Sequence, residues 1–241
     1  MNGYLDIHSH ILPGIDDGSK DMDMTMNMLE QAYAEGVRYI VATPHYYPGH
    51  RNADPDRIRE CFHKVPEVAD EQFPEMDIML GNEIYYKDEA ISRLHDKDIF
   101  TMNNSRYVLV EFNVGMEYRK IYQAIKRFTM EGYYPIIAHA ERYGALHKQE
   151  KLVEELVETG AYIQINAETF MGGMFDAYRK YSLRLASNGL VHFLGSDCHE
   201  PYERKPIMEQ AVKVLKKKID SDILEDILVH NPKRFLQNEF I

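Results

Sequence analysis

Tryptophan is absent from the 241-residue chain, and cysteine occurs only twice, at Cys61 and Cys198. Two thiols cannot build a disulfide framework, so a small bridge-held secreted scaffold is excluded and a reducing cytoplasm is the expected setting. Apolar runs are short. None approaches the ~18 residues that a spanning helix needs, and the opening MNGYLDIHSH lacks a basic segment followed by an apolar one. Neither membrane insertion nor a secretory leader is expected. Positive charge is also scarce: 28 Lys and Arg stand against 39 Asp and Glu, a net charge of −11, which argues against a surface built to coat nucleic acid. Apolar residues are plentiful at 44%, enough for a packed core. Eleven histidines are present, and several of them are not scattered.

Seven short β-branched or aliphatic runs read as buried strands: residues 4–7, 39–43, 77–81, 107–110, 135–138, 161–165 and 191–195. Helical spacing fills the gaps. One helix is expected from a Ser19 cap to Glu35 before Gly36, and another opens at Asp54-Pro55. Further helices are expected over 117–131, 148–159 and 176–188, with a helical tail over 205–218 and 221–228. Pro66 and Pro74 interrupt the stretch after the second strand. Strand-helix alternation repeated this often implies parallel strands, and about seven of them suggest an α/β barrel rather than an open sheet. No linker, repeat or low-complexity tract stands out, so residues 1–241 read as one domain.

Polar residues fall where the strands end. The first strand runs into Asp6-Ile7-His8-Ser9-His10, the second into Thr43-Pro44-His45, and the third into Gly81-Asn82-Glu83. Glu111, His139 and Asn166 end the next three, and Ser196-Asp197-Cys198-His199 ends the last. Barrel enzymes build their sites at that end. Alternation along a strand puts His8 and His10 on one face, and Asp197 and His199 on one face, with Ile7, Ser9 and Cys198 turned away. A single strand-end histidine is more often a hydrogen-bonded tether than a ligand, but five such tethers at the ends of four strands are implausible. His8, His10, His45, Glu83, Glu111, His139, Asp197 and His199 exceed what one zinc takes, so two or three ions sharing carboxylates fit better. Nitrogen and oxygen donors without thiolate favour Mn, Fe or Zn over Mg or Ca. His45 is preferred over His50, which sits in a turn-like loop. His63, His95, His147, His192 and His230 lie in helical or connecting contexts.

Metals at such a mouth suit hydrolysis, and an anionic ester calls also for cations and a proton donor. Arg142 follows His139 by three residues and Arg204 follows His199 by five; each could equally be a surface ion pair. Asp16 and Asp17 fill the first strand-helix loop, where a turn is the competing explanation. Cys198 to Arg204 also fits Cys-x5-Arg, the pattern of thiol-dependent phosphatases. Pro201 lacks an N–H, however, and Glu200 and Glu203 would repel the anion, so this match is read as accidental.

The segments DIHSHILPGIDDGS, ATPH, GNEIYY, YVLVEFN, IIAHAERY and GSDCH occur in order over residues 6–199. In them the chain resembles the polymerase and histidinol phosphatase (PHP) superfamily, and within it the CpsB/YwqE-type bacterial manganese-dependent tyrosine phosphatases of capsule and exopolysaccharide systems. The resemblance implies a distorted (β/α)7 barrel of the PHP type with C-terminal helices. It also implies a centre of two or three divalent ions, most often Mn²⁺, held by the eight strand-end residues. Asp17 would be the general acid, and Arg142 and Arg204 would grip phosphate. Ala140 departs from the proline that the family often carries there, which bears on loop stiffness more than chemistry. The implied substrate is phosphotyrosine on a partner, the tyrosine-rich tail of a bacterial tyrosine kinase. The rival readings are a small-molecule phosphatase, such as one for histidinol phosphate, and a metal-binding regulatory module without catalysis. Tyr46, Tyr47, Tyr85, Tyr86 and Phe170 could supply an aromatic rim, and 171–174 (Met-Gly-Gly-Met) a flap or an ordinary turn.

Overall fold

A computed structural model describes residues 2–49, 52–173 and 175–241; His50 and Met174 therefore lie outside the described residues. Among the described residues there are nine strand segments: β1 (Tyr4–Ser9), β2 (Val37–Ala42), β3 (His45–Tyr46), β4 (Asp77–Leu80), β5 (Glu83–Tyr85), β6 (Tyr107–Glu111), β7 (Tyr134–Ile137), β8 (Tyr162–Asn166) and β9 (Phe193–Gly195). All their pairings are parallel, in the orders β4-β2-β1 and β3-β5-β6-β7-β8-β9.

Two seams join the sheets. At the first, Ser9 bridges Cys198, the His10 N–H donates to the Cys198 carbonyl, and the Asp197 N–H donates to the His8 carbonyl. At the second, β2 and β4 break and continue as β3 and β5, with the Gly81 N–H donating to Ala42 and the Glu83 N–H shared between the Thr43 and Pro44 carbonyls. Counting β2 with β3 and β4 with β5, seven staves curl round one centre, as the seven apolar runs lead one to expect. Gly195 makes the first seam possible: a Cβ there would stand 2.6 Å from the Cβ of His8.

The strands read as unbroken apolar runs because both faces are covered. Outside lie α1 (Met22–Ala34), α2 (Pro55–Ala69), α3 (Ala90–His95), α4 (Tyr118–Met130), α5 (Glu150–Glu158) and α6 (Ala177–Ser187). On α4 the buried residues are Ile121, Ala124, Ile125 and Phe128, the i, i+3, i+4, i+7 stripe of an amphipathic helix. Inside, Leu5, Ile7, Val41, Met79, Leu109, Ile136 and Phe193 fill the lower barrel. Phe235 of α9 (Asn231–Leu236) plugs it from below. The apolar fill leaves only the carboxyl ends of the strands for polar chemistry.

Several expected boundaries shift. Asp21, not Ser19, caps α1: its carboxylate accepts from the Met24 N–H, whereas the Ser19 hydroxyl donates to the Asp21 carbonyl. Helix α2 runs through Pro66 in its last turns. The expected helix over 205–218 contracts to α7 (Glu209–Leu215), which begins only beyond Pro206. The tail continues through α8 (Ser221–Glu225) and a π-helical turn (Asp226–His230) into α9.

Candidate metal centre

The eight expected ligands converge at the carboxyl mouth, although His8 and His199 stand 191 positions apart. His8 and His10 face each other, Nε2 to Nε2, at 3.2 Å. Glu83 Oε2 lies 3.3 Å from the first and 3.4 Å from the second, and Asp197 Oδ1 lies 3.5 and 3.6 Å away. His139 Nε2 meets Glu83 Oε1 at 2.9 Å and Glu111 Oε1 at 3.7 Å, and His45 Nδ1 meets Glu83 Oε2 at 2.8 Å. Asp17 closes the mouth, with Oδ1 3.3 Å from His45 Nε2 and 3.5 Å from His199 Nε2.

Three donor groups are compact enough to hold an ion each: His10, Asp17, His45 and His199; His8, His10 and Asp197; His45, Glu83 and Glu111. Donors each about 2.1 Å from one ion stand about 3.0–3.4 Å apart at octahedral or tetrahedral angles. The observed spacings are of that size. The fit is also visible in what is left over. Glu83 Oε2, His45 Nδ1 and His199 Nε2 are buried without a hydrogen-bond partner, a costly state that coordination would remove.

Supporting residues aim the imidazoles. His8 Nδ1 donates to Gln164 (3.3 Å), His10 Nδ1 to Asp16 (2.8 Å), and His199 Nδ1 to the Asp197 carbonyl (2.9 Å). Each acceptor keeps the proton on Nδ1 and leaves the Nε2 lone pair facing the centre. His139 Nδ1 likewise approaches the Tyr143 hydroxyl at 3.4 Å. Burial works against charge on His10, but the Asp16 carboxylate outweighs it and holds the group up to about 9. His45 is pushed up to about 11 against its own burial by Asp17 and Glu83. Protons thus balance the packed carboxylates, and a divalent cation is the natural replacement for them.

Asp16 and Asp17 divide. Asp16 is spent on structure: besides His10, it accepts the N–H groups of His45 (3.0 Å) and Gly18 (3.0 Å). Asp17 alone reaches the open mouth, its side chain 66% exposed. The His199 and His45 imidazoles beside it, 3.5 and 3.3 Å away, hold its carboxyl well below the usual carboxylate range. Arg142 and Arg204 bracket Asp197, at 3.2 Å to Oδ2 and 3.0 Å to Oδ1, and both remain partly exposed. Two guanidiniums beside a cluster of donors make a ready anion clamp.

The route to this arrangement differs from strand alternation in three places; in β1 a register shift between Asp6 and Ser9 leaves Ile7, expected to turn away, in the inner apolar cluster. His139 (φ 33°) and Asp197 (φ 53°) sit beyond β7 and β9 in left-handed backbone, which turns their side chains inward. Cys198 is fully buried in the apolar core, where burial pushes its thiol far up, so it offers no nucleophile. Phe170 is likewise buried and forms no rim, whereas Tyr47 and Tyr85 stack at 4.7 Å beside His45. His63, His95, His147, His192 and His230 join none of the three donor groups; His139 joins none either, but meets the cluster through Glu83 and Glu111.

With that geometry in place, the whole-chain comparisons become decisive. Residues 4–237 match the family described as capsular polysaccharide synthesis, CpsB/CapC. The chain belongs to that family. It is 37% identical to the tyrosine-protein phosphatase CpsB of Streptococcus pneumoniae, over 98% of this chain and all of that protein. It is 32% identical to the tyrosine-protein phosphatase YwqE of Bacillus subtilis, over 98% of this chain and 93% of that one. Crystal structures of YwqE and CpsB, described as unique metal-dependent tyrosine phosphatases, include a chain that superposes with a TM-score of 0.89 at 32% identity, covering 98% of this chain and 96% of that one.

One layer behind the candidate ligands of this CpsB/CapC chain lie supports whose role the sequence did not assign: Gln164, passed over there, Asn166, read only as a strand end, and Tyr47, read only as part of the rim. Gln164 serves His8 and accepts the His139 N–H at 2.7 Å, Asn166 donates to Asp197 at 2.8 Å, and the Tyr47 hydroxyl donates to Glu111 at 3.0 Å. Gln164 and Asn166 did leave a signal: two amides in alternation on the otherwise apolar β8, both buried.

Proposed function

We propose that the chain hydrolyses phosphotyrosine on a partner protein in the cytoplasm, and that the partner is the tyrosine-rich tail of a bacterial tyrosine kinase controlling capsule or exopolysaccharide synthesis. The observation that carries this reading is the convergence of eight nitrogen and oxygen donors, Asp17 and two arginines at one barrel mouth, in a chain whose full-length relatives are tyrosine-protein phosphatases. His8, His10, His45, Glu83, Glu111, His139, Asp197 and His199 would hold two or three divalent ions, Mn²⁺ first among them. Bound there, such ions activate water and neutralise charge on a phosphoryl oxygen.

The protein's own groups account for the rest. Arg142 and Arg204 grip the phosphoryl oxygens in place of their contacts with Asp197. Asp17 moves the proton. It takes a proton from solvent and, as the general acid, delivers it to the leaving phenolic oxygen. The stacked Tyr47 and Tyr85 offer a face to an aromatic substrate ring beside His45. The test compares phosphotyrosine peptides, phosphoserine peptides and histidinol phosphate as substrates of Mn²⁺-loaded protein. Preference for phosphotyrosine, abolished by chelation and restored by Mn²⁺, is expected. Preference for histidinol phosphate would favour a small-molecule phosphatase, and inactivity on all three a regulatory module.

A further inference from the structure

Beside the centre opens a cavity of about 780 Å³ whose wall includes Glu141, Arg142, Asn166, Glu168 and Asp176. Arg142 and Asn166 belong to both places, since each also contacts Asp197, at 3.2 and 2.8 Å. A polypeptide with its phosphate at the arginines would therefore lay a neighbouring residue in this cavity. The wall's charge is opposite to the clamp's: three carboxylates face one cation, and that cation is already paired with Asp197.

Glu141 carries the inference further than charge alone. It is 1% exposed, and its Oε1 accepts from the Asn166 N–H (3.1 Å) and the Thr169 hydroxyl (2.8 Å). Its Oε2, buried at the same wall, has no partner. A buried carboxylate oxygen without a donor is costly, and a cationic donor in the cavity would satisfy it once the Glu141 carboxylate turned toward that donor. A small ion is the poorer occupant, because among the described residues these carboxylates do not converge as the ligand groups do, within 4.8 Å. Val114, Met171 and Tyr178 complete the wall with apolar surface suited to the methylene stem of a long basic side chain.

Resting on the phosphatase reading above, we infer that this cavity receives a lysine or arginine of the substrate polypeptide close to its phosphotyrosine, so that basic flanks are selected over acidic ones. The test uses Mn²⁺-loaded protein and phosphotyrosine peptides that differ only in one residue, Lys, Ala or Glu, stepped from two positions before to two after the phosphotyrosine. At the best position kcat/KM for Lys should exceed that for Glu by about tenfold, the scale of a hydrogen bond to a charged group. Glu141→Gln keeps an acceptor for Asn166 and Thr169 and should shrink the Lys-to-Ala ratio. Glu168→Lys, on the exposed part of the wall, should reverse the Lys-to-Glu order without disturbing the core. Because each readout is a ratio within one variant, changes in overall activity cancel. Equal kcat/KM at every position, or ratios unmoved in both variants, would overturn the inference and leave phosphotyrosine hydrolysis standing. Failure to cleave any of the peptides while nitrophenyl phosphate is still cleaved would overturn both.

Discussion

Asp17 and the two arginines are close neighbours with separable jobs, and leaving-group chemistry can tell them apart. A tyrosine phenol has a pKa near ~10 and benefits from protonation as it departs, whereas a nitrophenol does not need it. Asp17→Asn should slow phosphotyrosine hydrolysis by about 10²–10⁴-fold, the usual cost of losing a general acid or base, and spare nitrophenyl phosphate. Equal damage to both substrates would make Asp17 a ligand of the group it shares with His10, His45 and His199. The arginines touch what the two substrates have in common. Arg142→Ala and Arg204→Ala should therefore depress both alike, and steady-state kinetics on the pair of esters would show it. Asp16→Ala tests something else: it removes the acceptor that orients His10, and the expected result is weakened metal binding measured by calorimetry.

At the scale of elements, β8 is a scaffold for the ligands on either side of it. Gln164 holds both His8 of β1 and the backbone of His139 after β7, so Gln164→Ala should weaken metal affinity by about 10–100-fold, the usual cost of losing such a contact. The β8–β9 pair has its own titration. His192 donates its backbone N–H to Ile163 and accepts the Ile163 N–H at Nδ1, and burial pulls the imidazole down to about 4. The unfolded chain binds that proton near 6.5, so the contribution is full above pH 6.5 and lost as pH falls from there to about 4. The loss amounts to about 3 kcal/mol. Denaturant unfolding across that window should show a shallower slope in His192→Asn, which keeps an acceptor without a titrating ring.

The elements themselves were largely legible. Seven apolar runs became seven staves, and α4 and α6 fell within a residue of the expected spans, because burial on both faces or on one stripe leaves a periodic mark in composition. Backbone turns leave a weaker one. The breaks that split β2 from β3 and β4 from β5, and the left-handed turns at His139 and Asp197, depend on what the chain meets across the barrel. All eight candidate ligands were readable from their place at strand ends, and the structure brings them to one mouth. The amides behind them were not singled out, since a Gln or Asn in a strand carries no sign of which distant histidine it will orient.

For the molecule as a whole, the centre is a store of stability as well as of chemistry. Ions that bind only the folded form should stabilise it by about 2.7 kcal/mol at a hundredfold excess over their Kd. For a chain of this size that is a shift in Tm of roughly 5–10 °C. Chelation should lower Tm, and Mn²⁺ should restore it; a Tm indifferent to both would mean that the clustered donors hold no ion.

The seam between β1 and β9 has a consequence for how the protein is made. Ser196 donates its N–H to Asp6 across 190 residues, and the Asp197 N–H closes on His8 at the same place. A ribosome emitting the chain at ~5–20 residues per second has produced both histidines of the first strand many seconds before the partners that complete their pocket. Through that interval the early imidazoles are exposed to solvent and to whatever ions the cell offers. Assembly of the donor set thus waits for the final stage of translation, and a truncation between His139 and Asp197 yields a chain with six of the eight candidate ligands and no complete centre.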